Sequence, residues 1–357
     1  MDMQFPGIIL NDKLFSTEDL VPHCKKMLRR VKLPEWEEKI YSFLLEFLDE
    51  KDYIEQLSSG TTGPPKTIRL SKKSMIESAK NTVSQLKLKW TDKALLCLPV
   101  EYIAGKMMIV RAFVAGLNLF WEEPSSMPSL SKYGTIDFCA MVPLQVYNSF
   151  SNYEFLKNVR NLIIGGAELR SEVMAMFSDV PNNTYETYGM AETCSSIAMR
   201  RINGEKPDKY FKSMPGVKLR IDERGCLVIN ANYLDSEVVT NDVVELIDTH
   251  HFIWKGRIDN LINTGGIKVK PEELEASISK ILDLECAVIG VSDEKLGQRI
   301  VLIAETNKQP DLAEVMKTLK HNLQIHLVPR EVIFVQELPR TSSFKIDRSQ
   351  LANLISH

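Results

Sequence analysis

One stretch early in the chain, Ser58-Ser59-Gly60-Thr61-Thr62-Gly63-Pro64-Pro65-Lys66-Thr67, combines hydroxyls, glycines and a lysine. Ser58, Ser59, Thr61 and Thr62 supply hydroxyl donors. Gly60 and Gly63 let backbone N–H groups turn inward, and Lys66 adds a cation, so the run has the makings of a polyphosphate nest. It is not a Walker A loop. That pattern requires Gly-x-x-x-x-Gly-Lys-[Ser/Thr], and Pro65 stands where the second glycine belongs. A proline has no N–H and a fixed φ, so it cannot donate to a phosphate there. Taken alone, the same composition also suits a solvated turn between two strands.

Further segments carry groups of matching chemistry. Between Thr184 and Ser196 stand Tyr185, Glu186, Tyr188, Gly189, Glu192 and Thr193. A carboxylate such as Glu192 suits Mg²⁺, which takes one or two carboxylates together with substrate phosphates. Tyr188 can stack on a base or serve as a core aromatic with its hydroxyl satisfied. Gly165-Gly166-Ala167 end an apolar run, a place where backbone can approach a planar ring or simply turn into a helix. Asp242 heads a strand-like run and can accept from ribose hydroxyls, while Arg257 can reach a ribose or a phosphate. Each of these reads equally as a surface salt bridge when taken singly. Lys345 lies in a Ser-rich loop near the C-terminus.

The elements that must position these groups follow from periodicity. The chain has 357 residues, 44% hydrophobic and 25% charged, as for a globular protein of two or three domains with a sizeable core. A net charge of −3 gives no basic field for nucleic acid or an anionic membrane. The longest apolar run is interrupted by Arg111 and too short for a membrane span. The start lacks the pattern of a signal peptide. The six cysteines are scattered, without Cys-x-x-Cys pairs, and fit buried free thiols in a reducing, cytoplasmic setting. Helical spacing marks residues 33–50 and 71–87, and strands flank the Ser58 loop. From there to about residue 215, apolar strands alternate with helices, which predicts βαβ units with parallel sheet. A strand-rich β subdomain follows, and a small α+β domain begins near Asp259.

In this order the segments resemble the adenylate-forming superfamily of acyl-CoA synthetases, peptide-synthetase adenylation domains and luciferases. The signatures are the Ser/Thr/Gly–Lys loop, the Tyr-Gly-Met-x-Glu-Thr turn, the Thr-x-Asp strand head, the Gly-Arg-x-Asp segment with its Gly-Gly, and the late lysine. The resemblance implies an α/β fold: a large N-terminal domain over 1–258, with βαβ subdomains and a β-rich subdomain, and a small mobile α+β lid over 259–357. It implies an acid–thiol ligase that uses ATP, Mg²⁺ and coenzyme A, with a small-molecule carboxylate as the other substrate. Carried over, Ser58, Ser59, Gly60, Thr61, Thr62, Gly63 and Lys66 would hold the departing pyrophosphate. Gly165, Gly166, Ala167, Tyr188 and Gly189 would surround the adenine, and Asp242 and Arg257 would bind the ribose. Thr193 would touch the α-phosphate, Glu192 would hold Mg²⁺, Lys345 would act in adenylation and Asp259 would be the hinge.

The chain is also similar to o-succinylbenzoate–CoA ligases of menaquinone synthesis, in its compactness, in the run from Pro99 to Trp121 and in "YGMAETCSSIAMR". That likeness implies an acyl pocket near Tyr102, Arg111 and Ser195, with Tyr102 in place of the usual His. A dicarboxylate needs a second anion anchor, for which Lys106, Arg111, Arg200 and Arg201 are the candidates. Phe344 stands where the family usually has Gly before the lysine, Thr67 replaces a Gly, and Asn241 replaces a Gly before Asp242. A ligase for another acid, a carrier-loading adenylation enzyme and a non-catalytic nucleotide-binding protein are the competing readings.

Overall fold

The structure, a computed structural model, describes residues 7–57, 66–150, 156–169, 171–308, 310–342 and 344–355. Ser58, Ser59, Gly60, Thr61, Thr62 and Gly63, expected to hold polyphosphate, lie outside the described residues.

The helical periodicities fold as expected. Glu35–Leu48 follows Pro34 and buries Ile40, Tyr41, Phe43, Leu44 and Phe47 along one side. Lys72–Gln85 starts where the Ser71 hydroxyl accepts from the Ser74 N–H, which satisfies one of the orphan donors of a helix start. Ile103–Ala115 is buried along nearly its whole length and stops at Gly116, whose φ of 62° is left-handed. Before the loop at Ser58, strand Tyr53–Leu57 pairs antiparallel with Thr67–Ser71, so the loop joins two hydrogen-bonded strands.

Among the described residues, a sheet of 13 strands runs through the N-terminal part. Ile8–Leu10, Asn118–Trp121, Lys93–Leu96, Ile136–Met141, Val159–Ile164 and Asn183–Met190 lie side by side and parallel. At Asn183–Met190 the sheet changes character. Ser195–Arg201 returns antiparallel, and every later neighbour on that side is antiparallel as well. The strand-rich region after residue 215 therefore continues the same hydrogen-bonded path. Apolar helices cover the parallel half, which is why its strands read as nearly continuous apolar runs.

The C-terminal part is smaller. Ile262–Thr264, Ile267–Val269, Cys286–Asp293, Gly297–Glu305 and Glu331–Val335 form a second sheet. Helices Pro271–Leu282 and Leu312–Asn322 pack on it over Ile278, Val288, Leu302 and Leu319. In an open α/β sheet, ligands bind beyond the carboxyl ends of the parallel strands. Those ends carry Gly165–Ala167 after one strand and Ala191–Thr193 after another.

Candidate active site

Two segments far apart in sequence meet at the first of these strand ends. Gly165 donates to the Met141 carbonyl at 3.1 Å, which extends the ladder one residue past the strand. Gly166 then turns with φ 91°, a left-handed conformation that side chains resist. A Cβ placed on it would lie 3.1 Å from Lys345 Cε and 3.7 Å from its Nζ. The lysine from the C-terminal loop thus lies against an exposed backbone ledge formed by Gly166 and Ala167. Burial pushes the Lys345 ammonium below its ordinary value, and the charge of Arg257 pushes the same way.

The neighbouring strand, Asn183–Met190, runs into a short turn over Ala191–Thr193. Gly189 is required here, because a Cβ on it would fall 2.1 Å from the Ser195 carbonyl oxygen on the returning strand. Glu192 points outward and is exposed on the turn. Thr193 is fully buried; its Oγ1 accepts from Met190 N–H at 3.0 Å and lies 2.7 Å from the Ser195 carbonyl. Its hydroxyl is committed to holding the turn. Among the described residues no three His, Cys, Asp or Glu side chains gather as a metal site. One exposed carboxylate suits Mg²⁺ that arrives with phosphates and not a resident metal.

Asp242 is the best-ordered node. It is 5% exposed, and its Oδ2 accepts from the Tyr188 hydroxyl at 2.7 Å. Its Oδ1 accepts from Trp254 Nε1 at 3.0 Å, with Arg257 Nη1 at 3.8 Å. Thr240 Oγ1 accepts from its backbone N–H at 3.0 Å. A carboxylate has about four lone-pair directions, so both oxygens keep room for another donor, such as a ribose hydroxyl. Tyr188 stands edge-on to Phe252 with ring centroids 5.2 Å apart, so its ring is partly a core aromatic as well. Burial and then the Asp242 charge raise its hydroxyl well above the ordinary value, which keeps it a donor. Arg257 donates to both oxygens of Asp259, at 3.0 and 2.8 Å. Burial works to raise the Asp259 carboxyl, and the Arg257 and Asn241 hydrogen bonds outweigh it, holding the group below its usual range. Lys66 is exposed at the edge of the described strand.

The candidate anion anchors separate clearly. Arg200 pairs with Glu186 at 2.6 Å and stacks over Phe211. Lys106 reaches the Glu55 carbonyl at 3.4 Å and lies over Phe43. Arg201 sits at the opposite end of its strand from Ser195. Arg111 is 1% exposed, its Nη2 donates to Ser195 Oγ at 3.1 Å, and its Nε has no hydrogen-bond partner among the described residues. Arg201 Nε is likewise buried with no hydrogen-bond partner among the described residues, so depth of burial and the contact with Ser195 are what distinguish Arg111. Burial lowers its pKa to about 10, so it stays charged at neutral pH. Cys194 and Ser195, with φ of 53° and 82°, form the turn that delivers the Ser195 hydroxyl to it. Tyr102, at the start of the same helix, hydrogen-bonds Ser342 of the C-terminal loop.

Thr240, the first residue of the Thr-x-Asp strand head, and Trp254 complete the Asp242 node, and of the two only Trp254 has no part in any sequence motif. Alternation along His251–Arg257 puts Trp254 on one face, but only the register across the bulge between Asp242 and Val244 brings its N–H to the carboxylate. All six cysteines are buried and free, as the scattered pattern suggested. No helix among the described residues is long and apolar enough to cross a membrane.

Comparison with known proteins gives the family and the fold. The model of the AMP-binding enzyme family matches residues 33–231, and that of the AMP-binding enzyme C-terminal domain matches 274–345. The chain is 25% identical over 323 residues to a 2-succinylbenzoate–CoA ligase of Listeria monocytogenes, covering 82% of this chain and 68% of that one. Among solved structures it resembles an acyl-CoA synthetase (AMP-forming)/AMP-acid ligase II-like protein from Dyadobacter fermentans. That likeness has 30% identity and a TM-score of 0.60, covering 93% of this chain and 97% of the other. It shares its fold with the o-succinylbenzoate–CoA synthetase of Bacillus subtilis solved with an acyl-adenylate intermediate, at TM-score 0.78 and 17% identity, covering 97% and 94%.

Proposed function

Because the chain belongs to the family of AMP-binding enzymes, we propose that it activates o-succinylbenzoate with ATP and passes the acyl group to coenzyme A. In the first step a carboxylate oxygen attacks the α-phosphorus, and the bond to the bridging oxygen of pyrophosphate breaks. The products are the acyl-adenylate and pyrophosphate. In the second step the thiol sulfur of coenzyme A attacks the acyl carbon, loses its proton and displaces AMP.

The observation that carries the choice of acid is Arg111. A buried guanidinium with an unused Nε is costly to maintain unless an anion completes it. A dicarboxylate offers one carboxylate for chemistry and a second for this site, whereas benzoate or a fatty acid offers only the first. Arg200, a half-buried candidate, is already neutralised by Glu186.

The remaining residues take roles by position. Asp242 would receive the ribose hydroxyls, with Tyr188 and Trp254 fixing its orientation. Gly165, Gly166 and Ala167 would form the ledge for adenine. Lys345, beside that ledge, would stabilise the negative charge that develops between the attacking and leaving oxygens. Glu192 would hold Mg²⁺ delivered with ATP, and Lys66 would attract the pyrophosphate. The division of the chain at Asp259, with 259–357 as a lid, belongs to the same reading. Its support is the position of Asp259 on the short turn Ile258–Asn260, between the two sheets.

The test is pyrophosphate release with ATP, Mg²⁺ and o-succinylbenzoate, with and without coenzyme A, beside benzoate and a medium-chain fatty acid. We expect coenzyme-A-dependent turnover on o-succinylbenzoate and little on the others. Turnover on a monocarboxylate alone would overturn the choice of acid. Silence on every acid, with ATP still bound, would overturn the ligase reading.

A further inference from the structure

Phe344, the residue before Lys345, holds a φ of 64°. That left-handed conformation disfavours residues with a Cβ, and Gly or Asn usually occupies it. The local hydrogen bonds do not need a phenyl ring. Phe344 N–H donates to the Thr341 carbonyl at 2.8 Å, and Thr341 N–H donates to the Lys345 carbonyl at 2.8 Å. Lys345 N–H reaches Thr341 Oγ1 at 3.3 Å, and Arg340 bridges antiparallel to Ile346. A glycine would make the same turn without strain. Strain of this kind persists where surroundings over-determine it, so the side chain must gain something outside the turn.

What it gains lies on the other part of the molecule. The ring packs against the core of the N-terminal part. Together with Trp36, Pro99, Tyr102, Pro124 and Ser342 it lines a cavity of about 160 Å³. Two residues before Phe344, the Ser342 hydroxyl hydrogen-bonds the Tyr102 hydroxyl. The C-terminal loop is therefore fastened to the Pro99–Tyr102 segment at two points, and the next residue along is the lysine that lies against Gly166.

We propose that Phe344 is a positioning residue: its ring, seated beside Tyr102 and Trp36, holds the loop so that Lys345 stays against Gly166. The Ser342–Tyr102 hydrogen bond is the second fastening. This rests on the reading of Lys345 as the lysine of the adenylate-forming step. A glycine at this position would leave the lysine free to leave the ledge; the phenylalanine exchanges that freedom for a fixed reach. The fastening acts on the adenylate-forming arrangement alone, so the ring should matter for one half-reaction and not the other.

The experiment measures both half-reactions separately in the full chain, with o-succinylbenzoate as the acid. ATP–pyrophosphate exchange reports adenylation, and coenzyme A thioester formation from supplied acyl-adenylate reports the second step. For Phe344→Ala we expect kcat for exchange to fall about ten- to a hundredfold, with KM for ATP unchanged, because a displacement of about 1 Å has effects of that size. Thioester formation from the adenylate should hold its rate, and Phe344→Tyr should recover exchange. Circular dichroism and melting of both variants verify that they fold. Exchange at the parental rate in Phe344→Ala, with Lys345→Ala crippled, would overturn the positioning role and leave the lysine's role standing. Equal losses in both half-reactions would also overturn it. Parental exchange in Lys345→Ala would instead remove the lysine's role, and the positioning role would fall with it.

Discussion

Asp242 and Arg111 are both buried charges, 5% and 1% exposed, yet their surroundings treat them oppositely. Asp242 is surrounded by donors: Tyr188, Trp254 and the more distant Arg257. Arg111 has one hydroxyl, from Ser195, and an Nε left without a partner among the described residues. The first arrangement is finished before any ligand arrives. The second, on the proposed reading, waits for an anion. The contrast is a division of labour: the node proposed for the ribose is preformed, and the guanidinium proposed for the acid is left with an unmet demand. Preorganised contacts favour binding by lowering its ordering cost, whereas an unmet buried charge rejects ligands that cannot satisfy it.

The contrast should appear first in stability, with opposite signs. Asp242→Ala strands the Tyr188 hydroxyl and the Trp254 N–H, each buried loss being about 1–3 kcal/mol. Urea unfolding should show a total loss of roughly 2–6 kcal/mol. Equal stability to the parent would mean that water or rotation satisfies both donors. Arg111→Met removes an under-compensated buried charge in favour of an apolar side chain. The same unfolding measurement should find it unchanged or more stable, by up to about 2 kcal/mol. A loss comparable with that of Asp242→Ala would show that the guanidinium is compensated after all.

A smaller effect concerns pH. Burial, and then the Arg257 charge, lower the Lys345 pKa from its ordinary 10.5, so the cationic form is lost at a lower pH than for a free lysine. The alkaline limb of kcat/KM for adenylation, which reports the free enzyme, should therefore lie below that value. A positive neighbour lowers a lysine, so Arg257→Gln should move the limb toward higher pH. A limb that stays in place would show that Arg257 does not act on Lys345.

Much of this was legible in the residues, unevenly. The amphipathic helices and the parallel strands followed from periodicity, because burial on one side or on both leaves a pattern. The run from Thr184 to Ser196 reads as a strand-to-loop turn, and the turn Ala191–Thr193 indeed ends the strand Asn183–Met190. It lies where the sheet passes from parallel to antiparallel, one face on the core and the other toward the cleft. The strands after residue 215 read as a β-rich subdomain, and the structure adds that they continue the same hydrogen-bonded path, because sequence shows strands and not which strands share one. Asp242 and Arg257 were legible as types, but the Trp254 partner depends on a bulge that no local signal marks. Arg111 stood out only as the charge interrupting an apolar helix. Four basic residues were equal candidates until their partners could be seen, and pairing with Glu186 removed Arg200. Phe344 was legible as a departure, while its positive φ and its seat beside Tyr102 were not.

The most direct test of the central claim compares two acids on two proteins. The ratio of kcat/KM for o-succinylbenzoate to that for benzoate is measured by pyrophosphate release, in the parent and in Arg111→Met. An unpaired buried group discriminates strongly, so the parent should favour o-succinylbenzoate by about a hundredfold or more, and the variant should lose most of that preference. A variant that keeps the full ratio would contradict the assignment of the second carboxylate to Arg111.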